Sequence, residues 1–303
     1  MFRQFFQVLA FFFPSPINLW FHRLAGGEIG RYVSIHPAVL ILAKNVEIRK
    51  EAKIKFGTLI HVRTFRLGRK SSIGFFTLAN GVSDLMIGDA SIIGPRCTIR
   101  CDREVTLGYY SGIGPGSYLY THGSGLPVTE GYRATFGPIC IKNKVWVSMR
   151  CVVGPGVTIE EGTNVMPGTV LVESVGSKRV VVGNPAKLND FPVFLIPRKP
   201  GFCEELAPKI LKEYCSWSNE YKGTNWQVEN GVLKIPERWH TFSISVNDDG
   251  DIALLTAKGQ VRRGMFFNLA DLATDETRHP EKLKLEAFLR LTYGLIFLEK
   301  NAT

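Results

Sequence analysis

Residues 141–176 read IKNKVWVSMRCVVGPGVTIEEGTNVMPGTVLVESVG, and within them Ile141, Val147, Val153, Ile159, Val165 and Leu171 recur at every sixth position. Four places after each stands a smaller residue: Val145, Cys151, Val157, Thr163, Thr169 and Val175. A period of six matches neither the 3.6 of a helix nor the alternation of a strand. It is the period of a hexapeptide β-helix, in which short strands wind around a prism and one large residue per wall points inward. Three hexads close a coil of about 18 residues, and coils stack at the roughly 4.8 Å of strand neighbours.

The same phase extends towards the N-terminus. Ile29 pairs with Val33, Ile35 with Val39, Ile48 with Ala52, Ile54 with Thr58, Ile60 with Thr64, Leu67 with Ser71 and Ile73 with Thr77. It continues through Ile87 and Ser91, Ile93 and Cys97, Ile99, Leu107 and Ser111, Ile113 and Ser117, and Leu119. Two interruptions stand out. The phase slips between 41 and 48, which predicts a corner loop, and the polar stretch HGSGLPVTEGYRATFGP at 122–138 is too long for a wall. Long excursions from a rigid scaffold are where sites are built. Glycine directly follows the inward aliphatic at 30, 68, 74, 88, 94, 108, 114 and 154, where it is expected to relieve a tight corner.

Three segments follow: an apolar N-terminal segment at 1–28, the hexapeptide solenoid at 29–190, and a small α+β accessory domain at 191–303. The last is read from a helical stretch near 203–218, turn signals at Glu229-Asn230-Gly231 and 247–250, a helix near 281–291 and a strand after it. Pro192, Pro197 and Pro200 mark its border. The fold class is mainly β.

With 45% hydrophobic and 21% charged residues the chain can bury a core without covalent staples. Cys97 and Cys151 fill small inward positions and no Cys-x-x-Cys pair exists, so they read as core thiols, and no metal site is expected. The net charge of +10 is concentrated: residues 1–70 hold 12 Lys and Arg against three Glu. Arg49, Lys50, Lys53, Lys55, Arg63, Arg66, Arg69 and Lys70 fall between inward positions and are expected to face outward. The aromatics nearby form an apolar block, MFRQFFQVLAFFFPSPINLWF at 1–21, and are not interleaved with the basic residues as nucleic-acid stacking platforms would be. That block is too short to span a bilayer, which takes about 20 apolar residues. It reads as an interfacial helix on an anionic membrane, as a cap over the prism's open end, or as both.

The sequence from 118 to 188 carries YLYTHG, GPICI, NKVWV, GPGVTIEEG and VVVGNPAKL. In this order they resemble the hexapeptide-repeat, xenobiotic-type O-acetyltransferases, which include maltose, galactoside and capsule-saccharide acetyltransferases. The resemblance spans residues 25 to 190 and omits the C-terminal domain. It implies a left-handed β-helix, a homotrimer with sites between subunits, and acetyl-CoA as acyl donor.

By the same resemblance His122 is the catalytic base and Asp102 binds the acceptor hydroxyl. Trp146 lies by the acetyl and pantetheine path, and Asn184, Pro185 and Lys187 line the adenine end. The base has independent chemical sense: an alcohol attacks a thioester poorly unless its proton is removed as the bond forms, and imidazole does this near neutral pH. The chain departs from the pattern at Val147-Ser148, where the family has Ile-Gly, and at Met149, Met166 and Pro167, which replace small residues lining the groove. The expected activity is O-acetylation of a saccharide or lipid-linked glycan precursor, with backbone amides near 141–150 steadying the oxyanion. The expected location is the cytoplasmic side, peripheral on the membrane's inner face. An N-acyltransferase of amino sugars or amino acids, and a non-catalytic β-helix scaffold, are the alternatives.

Overall fold

The computed structural model describes residues 2–123, 125–126, 128–189, 201–229, 232–236, 241–246, 252–255, 261–269, 272–274, 280–293 and 295–299. The chain divides into two compact units, 1–194 and 195–303.

In the first unit the hexads form the three walls of a parallel β-solenoid. The first wall stacks Ser34–Ile35, Lys53–Ile54, Ser72–Ile73, Ile92–Ile93, Gly112–Ile113, Trp146–Val147, Asn164–Val165 and Val180–Val182. Its register lays inward residues on one another, from Ile35 through Ile54, Ile73, Ile93, Ile113, Val147 and Val165 to Val181. The second wall does the same with Ile60, Ala79, Ile99, Leu119, Val153 and Leu171. The third aligns Ile48, Leu67, Ile87, Leu107, Ile141 and Ile159. None of these side chains is more than 3% exposed, and each buried aliphatic contributes about 1.5–3 kcal/mol of transfer free energy.

The small inward position also has a bonding role. Ser71, Ser91 and Ser111 donate through Oγ to the carbonyls of Gly88, Gly108 and Lys142 in the next coil, at 2.7, 2.6 and 2.6 Å. Each hydroxyl also accepts a backbone N–H, from Ser91, Ser111 and Val145 respectively. These serines stitch coil to coil while filling the corner.

Four expectations are corrected. The slip at 41–48 holds no loop: Leu40–Ile48 is one strand that wraps a corner, paired along its length with Leu59–Leu67. In the latter strand Phe65 is fully buried and Thr64 only partly, because alternation along a continuous strand replaces the hexad there. Lys70 is 7% exposed and not outward; its Nζ lies 3.9 Å from a Glu51 carboxylate oxygen. The glycines after inward residues serve close packing and not turn geometry. A Cβ on Gly68 or Gly74 would sit 2.4 Å from the backbone of the next coil. The left-handed backbone falls three places after the inward residue, often without glycine, as at Lys70, Ala90, Tyr110, Lys144 and Arg150. There the N–H donates to the preceding coil, for example Arg150 to Pro115 O at 2.9 Å.

Two helices cover the first coil. α1 (Phe2–Phe11) lies on Leu40–Ile48, with Gln7 and Ala10 buried and Gln7 Nε2 donating to Ala43 O at 2.9 Å. α2 (Ile17–Leu24) buries Asn18, Leu19 and His22, and Leu19 joins the prism core. Asn18 Nδ2 donates to Ile35 O at 2.8 Å, so a polar side chain closes the end of the first wall.

The second unit is α+β. α3 (Phe202–Lys222) and α4 (Pro280–Tyr293) accompany a sheet of seven strands in sequence order, from Gln227–Glu229 to Leu298–Glu299. Its pairings are antiparallel except the last. Strands 227–229 and 232–236 pair antiparallel around the first turn signal, whose Asn230 and Gly231 lie outside the described residues, as do 247–250 and Pro192, Pro197 and Pro200. Its core sets Tyr214 of α3 against Phe288 of α4, with ring centroids 5.1 Å apart.

Candidate active site

The excursion at 122–138 leaves the solenoid where the second wall turns into the third. Tyr118–Tyr120 ends the second wall, and the third resumes at Ile139–Ile141. Between them His122–Gly123 pairs antiparallel with Thr135–Phe136, so the excursion folds back as a small hairpin. Gly137 anchors its return: its N–H donates to Thr121 O at 3.0 Å, and a Cβ there would lie 2.5 Å from Gly156.

This hairpin places His122 beside the corner of the preceding coil. His122 Nδ1 is 2.8 Å from Asp102 Oδ2, a close contact that lacks the alignment of a hydrogen bond. The side chains are 26% and 21% exposed, so both reach solvent. Asp102 is held by its backbone: buried Thr121 Oγ1 accepts the N–H groups of Asp102 and Arg103 at 2.9 and 3.0 Å and donates to Arg100 O at 2.7 Å. Arg100 Nη2 stands 3.5 Å from the same Asp102 oxygen. The His122 ring stacks on Phe136 with centroids 6.1 Å apart, and the Arg103 guanidinium lies 4.9 Å from the Phe136 centroid. Burial, aided by the Asp102 charge, pushes the Cys101 thiol up to about 12. That thiol is therefore a packing group and no nucleophile near neutral pH.

Thr121, Phe136, Arg100 and Arg103 are site residues that the periodicity does not single out. Thr121 had a signal, since a hydroxyl two places after inward Leu119 falls where the wall ends. Phe136 had none, because its partner His122 lies 14 residues away across an aperiodic stretch.

The remaining predicted residues line a different corner, between the first and second walls. Trp146 lies on the first wall, 45% exposed, over Gly112, where a Cβ would sit 2.2 Å from the indole. Ser148 is nearly buried, whereas Met149 is 53% exposed and Pro167 is exposed one coil further on. Exposed Asn184, Pro185 and Lys187 follow Val180–Val182, the next strand of that wall. These residues fall in order along three successive coils, an arrangement that suits an extended ligand. Of the amides in this turn, Ser148, Arg150 and Cys151 donate to Val165 O, Pro115 O and Ser117 Oγ. Met149 N–H makes no such bond among the described residues. The second wall separates this edge from His122, about six residues or roughly 20 Å of extended chain. One chain therefore does not bring the two groups together. Among the described residues no cluster of three or more His, Cys, Asp or Glu could hold a metal ion.

No family model matches the chain. It is 34% identical over 102 residues to the putative colanic acid biosynthesis acetyltransferase WcaF of Escherichia coli (strain K12), which is 34% of this chain and 56% of that one. It is 34% identical over 94 residues to a putative acetyltransferase of Schizosaccharomyces pombe, covering 30% of this chain and 45% of the relative. The sequence relatives are acetyltransferases by name. The chain spans about half the length of these curated relatives. Among solved structures it is similar to AntD, an N-acyltransferase from Bacillus cereus in complex with dTDP and coenzyme A. That match has a TM-score of 0.41 and 18% identity and covers 67% of this chain and 99% of the other. A hexapeptide-repeat acetyltransferase from Vibrio cholerae, complexed with acetyl coenzyme A, matches with a TM-score of 0.31 and 17% identity, covering 64% and 86%. These structural likenesses are too loose to carry an argument about chemistry.

Proposed function

We propose that this chain is a CoA-dependent O-acetyltransferase acting on a hydroxyl of a saccharide or lipid-linked glycan precursor. The contact between His122 and Asp102 carries the reading: a carboxylate oxygen 2.8 Å from Nδ1 puts negative charge on that side of the ring, and Nε2 is the nitrogen that serves as the base. His122 takes the acceptor's proton as the oxygen attacks the acyl carbon. Asp102 steadies the imidazolium that forms. Asp102 Oδ1 has no donor among the described residues and is available to an acceptor hydroxyl. The relatives named for acetyl transfer support the activity, and the one named for colanic acid biosynthesis supports a saccharide acceptor.

Acetyl-CoA supplies the acyl group as an activated thioester. Trp146, Ser148, Met149 and Pro167 would hold its arm, Asn184, Pro185 and Lys187 its nucleotide end, and the Met149 N–H would face the thioester oxygen. Met149 and Pro167 add bulk to that edge and would limit the acyl chain it takes. Because His122 and this edge lie on different corners, a site complete in both requires a second chain. That supports a homotrimer in which one subunit supplies the base and its neighbour the donor groove. The exposed aromatic face of α1 and α2 supports peripheral seating on an anionic membrane at the cytoplasmic side, where a lipid-linked acceptor would be met. Among the described residues no helix is long and apolar enough to cross a membrane.

Calorimetry with acetyl-CoA tests the reading. The wild-type chain should bind and Trp146→Ala should bind at least tenfold more weakly; a wild-type chain with no affinity would mark a scaffold instead. Offering hydroxyl and amino acceptors to the loaded enzyme then separates O- from N-acylation.

A further inference from the structure

A cleft three coils before His122 lies between α1 and the first two coils. It has a volume of about 340 Å³, and Arg3, Gln7, Lys44, His61 and Arg63 are among its lining residues. Its polar groups are not equally available. Arg63 is committed to Asp84 through two bonds of 2.8 and 2.6 Å. Arg3 spends one N–H on the Lys44 carbonyl and makes no ion pair among the described residues. Lys44 is exposed and makes no ion pair among the described residues.

Gln7 is the informative member. It is 1% exposed, and its Nε2 donates to Ala43 O, which fixes the amide's orientation because a flip would set two acceptors together. Its Oε1 is left buried without a partner. An unpaired buried acceptor is unfavourable, so this oxygen calls for a donor from outside the chain. Inorganic phosphate and a phosphate ester bearing hydroxyls both offer an anion for Arg3 and Lys44 and an O–H donor for Gln7, so the choice between them rests on the apolar surface beside the cleft.

The helix that forms one side of this cleft turns Phe2, Phe5 and Val8 to solvent, 44–74% exposed, and Phe12 just past its end and Trp20 of α2 add to them at 68% and 56%. An apolar face beside a cationic cleft is the arrangement of an interfacial anchor. We infer that the cleft between α1 and the first coils seats the hydroxylated phosphodiester headgroup of an anionic lipid, with Arg3 and Lys44 on the phosphate and Gln7 Oε1 accepting from a headgroup hydroxyl. This rests on the membrane seating proposed above and gives it a specific ligand.

The test is flotation of the full chain with vesicles of phosphatidylcholine alone and with added phosphatidylglycerol, beside calorimetry with dihexanoyl-phosphatidylglycerol and with inorganic phosphate. The wild type should favour phosphatidylglycerol vesicles at least tenfold and bind the short-chain lipid. Lys44→Glu, an exposed position that folding tolerates, and Gln7→Leu should each remove that preference, whereas Phe5→Ser/Trp20→Ser should lose both vesicle types and keep the short-chain lipid's headgroup. A Lys44→Glu chain that still prefers phosphatidylglycerol overturns the headgroup seat while leaving membrane binding in place. A wild type that floats with neither vesicle overturns both. Binding of inorganic phosphate as tight as that of the short-chain lipid, lost in Lys44→Glu, would make the ligand a free phosphate compound and overturn the lipid assignment.

Discussion

Two corners of the same prism follow opposite rules. The corner between the first and second walls repeats from coil to coil, each turn placing a residue in left-handed backbone three places after the inward aliphatic and returning its N–H to the coil before. The corner between the second and third walls changes along the prism, from a continuous strand at 40–48 and 59–67 to a short turn at 81–84 and 101–104, and then opens into a hairpin held by one glycine contact and two stacked rings. Regularity returns most corner N–H groups to the coil before and leaves single ones, such as that of Met149, to face a ligand. The interruption frees a histidine and sets it against a carboxylate.

Removing His122 should produce the largest effect. General-base catalysis is worth about 10²–10⁴ in rate, so His122→Ala should lower kcat by that factor in an acetyl-transfer assay while the thermal midpoint stays within a few degrees. The opposite pattern belongs to the regular part. Ile159, fully buried in the third wall, should lose about 2–5 kcal/mol of stability on truncation to alanine, read from urea unfolding, with the folded fraction retaining its turnover. A His122→Ala chain that unfolds early, or an Ile159→Ala chain that is stable, would erase the contrast between the corners.

The cap offers a pH test of the same kind. His22 is 1% exposed with neither ring nitrogen partnered, and burial lowers its pKa from 6.5 to about 4. The folded state therefore prefers neutral imidazole. The stability is full above pH 6.5 and falls as pH drops towards 4, by about 3 kcal/mol in all, since each tenfold loss of proton affinity is worth ~1.4 kcal/mol. Urea midpoints at pH 7.5 and 4.5 should differ by less in His22→Leu than in the wild type; an equal difference would show that His22 does not set the pH response. A smaller effect is expected at Asp102. A hydrogen bond or contact to a charged group contributes ~1.5–3 kcal/mol, so Asp102→Asn should slow transfer roughly 10–100-fold. An unchanged kcat would make Asp102 a corner residue only.

Most of the solenoid was legible because one inward residue in six leaves a mark that no helix or ordinary strand makes. Ile35 through Val165 on one wall follow directly from that count, whereas Val181, ten places after Leu171, falls off it. The period failed at Leu40–Ile48 and Leu59–Leu67, where a continuous strand turns the corner and simple alternation selects Phe65 over Thr64. Lys70 misled for a related reason: outward in the repeat, it lies beside Glu51 of the neighbouring coil, a relation across coils that a single hexad does not carry. At the site, His122 and Asp102 stood out by motif, but their contact spans a coil. Phe136 and Thr121 become visible only when the hairpin is folded. The two-corner separation of His122 from Trp146 and Lys187 required the order of the walls.

That separation decides how a complete site is assembled, and subunit mixing tests it without intermediaries. His122→Ala chains and Trp146→Ala/Lys187→Glu chains, each inactive alone, should recover activity when co-expressed in equal amounts. The expected rate is roughly a quarter of wild type, because each interface draws its base and its groove independently from the two chains. Activity that remains at the sum of the two parents would place base and donor groove within one chain and contradict a site shared between subunits.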